Sequence, residues 1–171
     1  DEMNPALADL DGDGDFDLAV GDEAGLVKYY ENVGSAERPQ FVGRTGSANP
    51  FEGVAVEKYC APRFVDLDGD GDLGLVVGEE KGGLTFYENK ASSAVAPVTV
   101  EIAAAASPLG LVDVDIHASA AAYSAPTLVD FDGDNDLDVV VGHQLFYDTD
   151  GDDKVSIAEY EAGASALTFF F

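Results

Sequence analysis

The sequence is poor in several things at once. It has one cysteine, Cys60, two histidines, His117 and His143, and 8 Lys+Arg against 34 Asp+Glu in 171 residues. A lone Cys60 cannot close an internal disulfide, and it reads as a small buried side chain. No run of about 18 apolar residues exists, so direct membrane insertion by a helix is excluded. None of the five asparagines stands in an Asn-x-Ser/Thr sequon, which leaves no acceptor for N-glycosylation. The opening Asp1-Glu2-Met3-Asn4-Pro5 has no basic, apolar leader, as expected of a processed or excerpted chain. The shortage of cations leaves a formal charge of −26. Such a surface repels phosphate backbones and anionic lipid heads, which excludes nucleic acid as a partner.

The same scarcity bears on catalysis. A nucleophilic Ser or Cys needs a histidine and an orienting acid, and His117 and His143 read as loop or surface residues. The Gly-rich stretches are acidic and precede no helix, so they cannot cradle phosphate. Paired carboxylates are plentiful, but their spacing is explained better by metal ligation than by a glycosidase acid and base. The chain is therefore read as non-enzymatic.

Disorder would be the natural reading of so much acid, except that 46% of the residues are hydrophobic and 10% aromatic. A chain of this length can bury roughly 70% of its unfolded surface. The acid must then be neutralised at defined places.

Those places lie in a repeat. The segment Pro5 to Gly21, with Asp9-Leu10-Asp11-Gly12-Asp13-Gly14-Asp15-Phe16-Asp17 inside it, matches Pro62 to Gly78 at a constant offset of 57. A third copy, Pro126 to Gly142, follows at an offset of 64, and Tyr30-Glu31-Asn32 matches Tyr87-Glu88-Asn89 at 57. Each unit runs from a short apolar segment through an acidic turn into a second apolar segment ended by Gly, then into an aromatic one, with strand-like composition. A fourth strand is expected at Gln40-Phe41-Val42 in the first unit and Val98-Thr99-Val100 in the second. The Ala-rich stretches 103–106 and 118–122 read as loop, with room for a short helical turn. Units of about four antiparallel strands without helical periodicity give an all-β chain of β-propeller blades, divided as 1–57, 58–121 and 122–171.

In the first turn, acids occupy positions 1, 3, 5, 7 and 9: Asp9, Asp11, Asp13, Asp15 and Asp17. Left bare they would repel one another, and a hard divalent cation with oxygen ligands removes that repulsion. Calcium is the ion implied, because magnesium demands stricter geometry and the turns hold no His or Cys for zinc or copper. Asp15, and Asp72 and Asp136 after it, are expected to offer their main-chain carbonyls, leaving the side chains as bystanders. The third turn keeps Asp130, Asp132, Asp134, Asp136 and Asp138. The second has Asp66, Asp68, Asp70 and Asp72 but Gly74 in the last place, so weaker binding is expected there.

A further segment, Asp148 to Glu159, fits the twelve-position EF-hand loop. Asp148, Asp150, Asp152, Ser156 and Glu159 supply side chains and Lys154 a carbonyl, with Asp153 where glycine is usual. It separates two expected strands of the third unit and so reads as an insertion at 148–159. The four acidic segments together hold 19 of the 34 acids.

The turns 9–17, 66–74 and 130–138, each followed by an apolar strand ending in Gly, resemble FG-GAP/VCBS-type repeats, the calcium-binding blades of integrin α-like propellers. The resemblance implies calcium in the blade-connecting turns and a role in adhesion, with a protein or carbohydrate ligand. It also implies rings of about seven blades, so that three would form part of a larger propeller. The alternative is a calcium-stabilised structural or accessory subunit whose blade edges are covered by neighbouring subunits. Loops of this type outside cells work at about 10⁻⁴ to 10⁻³ M calcium, which points to a secreted, cell-surface or organelle-lumen setting.

Overall fold

A computed structural model describes residues 3–66, 71–89, 102–105, 123–129, 138–145 and 164–170. Across these the chain is all-β and forms three antiparallel sheets, one for each repeat. The first has the order β1 (Met3–Ala8), β2 (Asp17–Asp22), β3 (Val27–Asn32), β4 (Phe41–Arg44), and the second β5 (Ala61–Val65), β6 (Gly74–Gly78), β7 (Leu84–Asn89), β8 (Ile102–Ala105). In the third, β10 (Asp138–Leu145) lies between β9 (Ala125–Val129) and β11 (Ala164–Phe170). A single 3-10 turn, Gly46–Ala48, is the only helical element among the described residues.

The offset of 57 reappears as register. Leu18 pairs with Leu7 and Tyr30 in the first sheet, and Leu75 with Phe64 and Tyr87 in the second. The fourth strand of the second sheet corrects the sequence reading. It lies at Ile102–Ala105, overlapping the stretch 103–106 read as loop, and pairs Ala105 with Phe86 and Ile102 with Asn89. Main-chain pairing to β7 outweighs the weak strand preference of alanine. Val98 to Val100 and 118–122 lie outside the described residues.

Alternation along each strand gives every sheet two faces, and successive sheets pack face to face. One face of the first sheet (Ala8, Ala19, Val27, Tyr29) meets Leu75, Val77 and Tyr87 of the second, with Phe51 from the connecting segment wedged between them. Phe51 sits edge-on to Tyr29 at 6.0 Å and tilted against Phe64 at 5.5 Å. The opposite face of the second sheet (Val65, Val76, Phe86) meets Leu128, Val139 and Val141 of the third. The first strands β1, β5 and β9 lie beside one another, in the manner of propeller blades.

The blades approach closely at two glycines. A Cβ on Gly21 would stand 2.1 Å from the Cys60 carbonyl oxygen, and one on Gly78 would stand 2.2 Å from that of Ser124. Matching main-chain bonds cross both seams, from Cys60 N–H to the Asp22 carbonyl (3.0 Å) and from Ser124 N–H to that of Glu79 (3.1 Å). Cys60 is fully buried, as its solitude implied, and burial pushes its thiol up to about 12.

Candidate metal centre

The first acidic turn joins β1 to β2, closed at its base by the Ala8 and Asp17 pair. Its own carboxylates wind it. Asp9 accepts from Gly12 N–H at 2.8 Å and Gly14 N–H at 3.1 Å, Asp11 from Asp13 N–H at 3.1 Å, and Asp13 from Asp15 N–H at 3.0 Å. Apart from the bond from Gly14, which spans five residues, these are Asx-type contacts, in which a short acid side chain caps the amide two or three residues on. Gly14 makes the winding possible with φ +94°, a conformation in which a Cβ is strained. Gly71 in the second turn has φ +93° and donates to Asp66 at 3.0 Å, which repeats the bond from Gly14 to Asp9.

The result is convergence. One carboxylate oxygen from each of Asp9, Asp11 and Asp13 lies within 4.8 Å of the others. The carboxyl of Asp11 is raised above its ordinary 3.8, first by burial and then by the charges of Asp17, Asp13 and Asp9, against the amide of Asp13. Asp15 differs from expectation. Its side chain is not a solvated bystander but is 8% exposed, and its Oδ1 has no hydrogen-bond partner among the described residues. Its carboxyl is also raised, by burial first and then by the charge of Asp13, while the Asn32 side chain works in the opposite sense. Three converging carboxylates are a donor set that suits a hard cation with oxygen ligands, of the kind calcium is.

Asp17 stands apart in its bonding. It is 1% exposed, and its oxygens accept from Tyr29 OH (2.9 Å), Asn32 N–H (2.7 Å) and Leu10 N–H (3.3 Å). It ties the turn to β3. Of the two apolar residues in the turn, Leu10 enters the core and Phe16 faces solvent.

Tyr29 and Asn32 escaped the sequence reading as site residues. Asn32 is buried and its Oδ1 accepts from Gly34 and Gln40 N–H, so that it holds the β3 to β4 connection under the turn. The signal was present: where the second repeat replaces Asp17 by Gly74, it also replaces Tyr29 by Phe86, and donor and acceptor are lost together.

In the second turn Asp66 and Asp72 are described, whereas Asp68 and Asp70 are not. Of the third turn only Asp138 is described, as the first residue of β10. The EF-hand-like segment 148–159 lies outside the described residues, between two strands that pair with each other.

Residues 66–141 match the sequence profile of the FG-GAP-like repeat family. No curated protein and no solved structure matches the chain.

Proposed function

We propose that this chain is a calcium-binding interaction module of the propeller type, in which calcium fixes the acidic turns so that the blade loops present a constant surface to a protein or carbohydrate ligand. The FG-GAP-like match supports the coarser part, since such repeats are in general non-enzymatic interaction modules. The observation that carries the metal is the convergence of one carboxylate oxygen from each of Asp9, Asp11 and Asp13 to within 4.8 Å of one another. In the first turn those three acids supply side-chain oxygens, the Asp15 carbonyl completes the set, and Asp17 closes the ninth position while anchoring the turn. The second turn, the third turn and the EF-hand-like loop take the same ion through the residues named above. A secreted, cell-surface or luminal protein meets calcium at the concentrations such loops require.

Ligand binding to the native state alone raises stability by about 2 kcal/mol per site when calcium stands some twentyfold above Kd. For a chain of this size, at roughly 2–4 °C per kcal/mol, each occupied site raises Tm by roughly 4–8 °C. Thermal melts in millimolar calcium and in chelator measure the difference, and Asp11→Ala should remove part of it. The gain should also fall with pH. Asp11 and Asp15 have raised carboxyls in the folded, metal-free protein. Protonation therefore stabilises that form as pH falls from neutral toward those raised values, while calcium must displace the proton of Asp11, whose side chain is the proposed ligand. Equal melting curves in calcium and chelator at neutral pH would sink the metal reading.

A further inference from the structure

Tyr30-Glu31-Asn32 recurs as Tyr87-Glu88-Asn89, and none of these residues is among those proposed to hold calcium. Asn32 nonetheless sits between the first acidic turn and the connection from β3 to β4, residues 33–40. It is buried. Its main-chain N–H donates to Asp17 at 2.7 Å, and its carboxamide favours the charged form of Asp15. On the other side its Oδ1 accepts from Gly34 N–H at 3.1 Å and Gln40 N–H at 2.8 Å. The two ends of the connection meet there, because Val33 N–H also donates to the Gln40 carbonyl at 2.9 Å.

The other hydrogen bonds of residues 33–40 run among Ser35, Glu37 and Arg38, and none of these eight residues enters either core. Gly34 shows how closely the connection is wound on the carboxamide. A Cβ there would stand 2.3 Å from the Arg38 carbonyl oxygen and 3.2 Å from Asn32 Oδ1. The second repeat separates the two roles of the asparagine. With Gly74 in place of Asp17 it lacks the acceptor for the main-chain N–H, yet it keeps Asn89 opposite Ile102 as Asn32 stands opposite Phe41, and Asp72 in place of Asp15. What both repeats keep is the carboxamide together with the acid at the seventh position.

We infer that Asn32 is a positioning residue for the first acidic turn and couples it to residues 33–40, so that calcium in the turn orders that connection and the ordered connection tightens calcium. The coupling rests on the calcium reading of the turn. Without a cation the acids of 9–17 repel one another and oppose the closed turn, which weakens the hold of Asp17 on Asn32 and of Asn32 on the connection. A cation removes the repulsion, and the gain passes through Asp17 and Asn32 to the amides of Gly34 and Gln40. Such linkage is reciprocal. The antiparallel order β1-β2-β3-β4 puts both connections at one end of the sheet, which makes 33–40 the loop through which calcium shapes the ligand-facing surface.

Amide hydrogen exchange of the full chain, followed by NMR across a calcium titration at neutral pH, tests it. Exchange at Gly34 and Gln40 should slow roughly five- to hundredfold, with the same calcium midpoint as Gly12 and Gly14 in the turn. Asn32→Ala should raise that midpoint roughly ten- to hundredfold and abolish the calcium-dependent slowing at 33–40. Asn32→Asp keeps an oxygen acceptor in the same place, so it should keep the slowing and leave the midpoint no higher. Should Asn32→Ala fail to fold, Gly34→Ala opens the connection without touching the turn and should raise the same midpoint about fivefold or more. A response at Gly12 and Gly14 that leaves Gly34 and Gln40 unchanged overturns the coupling but not the calcium site. Faster exchange at 33–40 in Asn32→Ala, equal in calcium and chelator and with an unmoved midpoint, also overturns it, because Asn32 is then an anchor of the connection alone. If no amide responds to calcium, the calcium reading falls and the coupling with it.

Discussion

Asp17→Ala should lower Tm by roughly 6–20 °C, and most of the loss should persist in chelator. The substitution removes one buried carboxylate and leaves three donors without an acceptor: the Tyr29 hydroxyl and the amides of Asn32 and Leu10. Breaking a buried network of this kind costs about 3–5 kcal/mol, and a chain of this size changes Tm by roughly 2–4 °C per kcal/mol. Tyr29→Phe removes a single bond and should cost only about 1 kcal/mol. Calcium cannot replace Asp17, since a cation offers nothing to three N–H and O–H donors. If Asp17→Ala melted like the parent chain in chelator, Asp17 would be a metal ligand only, and its tie between turn and strand would carry no weight.

Gly21→Val and Gly78→Val should be as damaging, by a different route. Both glycines lie in regular strands and neither has a left-handed φ, so the side chain itself is tolerable to the backbone. What it meets is the next blade. A Cβ at 2.1 or 2.2 Å from a carbonyl oxygen cannot be accommodated by a rotamer change, because the obstacle is main chain. The seam must open, exposing cores that include Leu75 and Val77 on one side and Val76 and Val139 on the other. A loss of about 3–5 kcal/mol follows from the burial given up. Gly14→Ala is the control: nothing lies within 4 Å of its Cβ, and only the left-handed φ opposes it, for roughly 1–2 kcal/mol. Proteolysis should therefore cut Gly21→Val at the 45–60 connection well before it cuts Gly14→Ala. Equal resistance in the two variants would show that the seams are looser than the structure draws them.

The repeat was legible because its unit is a strand-turn-strand segment whose turn has a demanding composition. Acids at alternate positions and a glycine at a fixed place recur together, and the pairing of the first three strands in the first two sheets reproduces the offset of 57. The fourth strand of the second blade was not legible. Ile102–Ala105 has no strand signature of its own, and it pairs because β7 offers an open edge. Asp15 was also beyond the sequence, for its burial depends on how the turn lies against Asn32 on another strand. Asp17 was read by position alone, as one carboxylate among five. That its oxygens face Tyr29, Asn32 and Leu10 is a tertiary fact, and only the paired loss at Gly74 and Phe86 hinted at it. The close approach at Gly21 and Gly78 was likewise hidden, since a glycine ending a strand reads as a simple stop.

Direct calcium titration of the full chain by calorimetry at neutral pH tests the central claim most directly, beside a variant carrying Asp9→Asn, Asp11→Asn and Asp13→Asn together. The parent chain should bind calcium with Kd at or below the 10⁻⁴ to 10⁻³ M range of such loops, and the triple variant should bind one ion fewer. Absence of binding at millimolar calcium, or an unchanged number of ions in the triple variant, would contradict the assignment of the Asp9 turn as a calcium site.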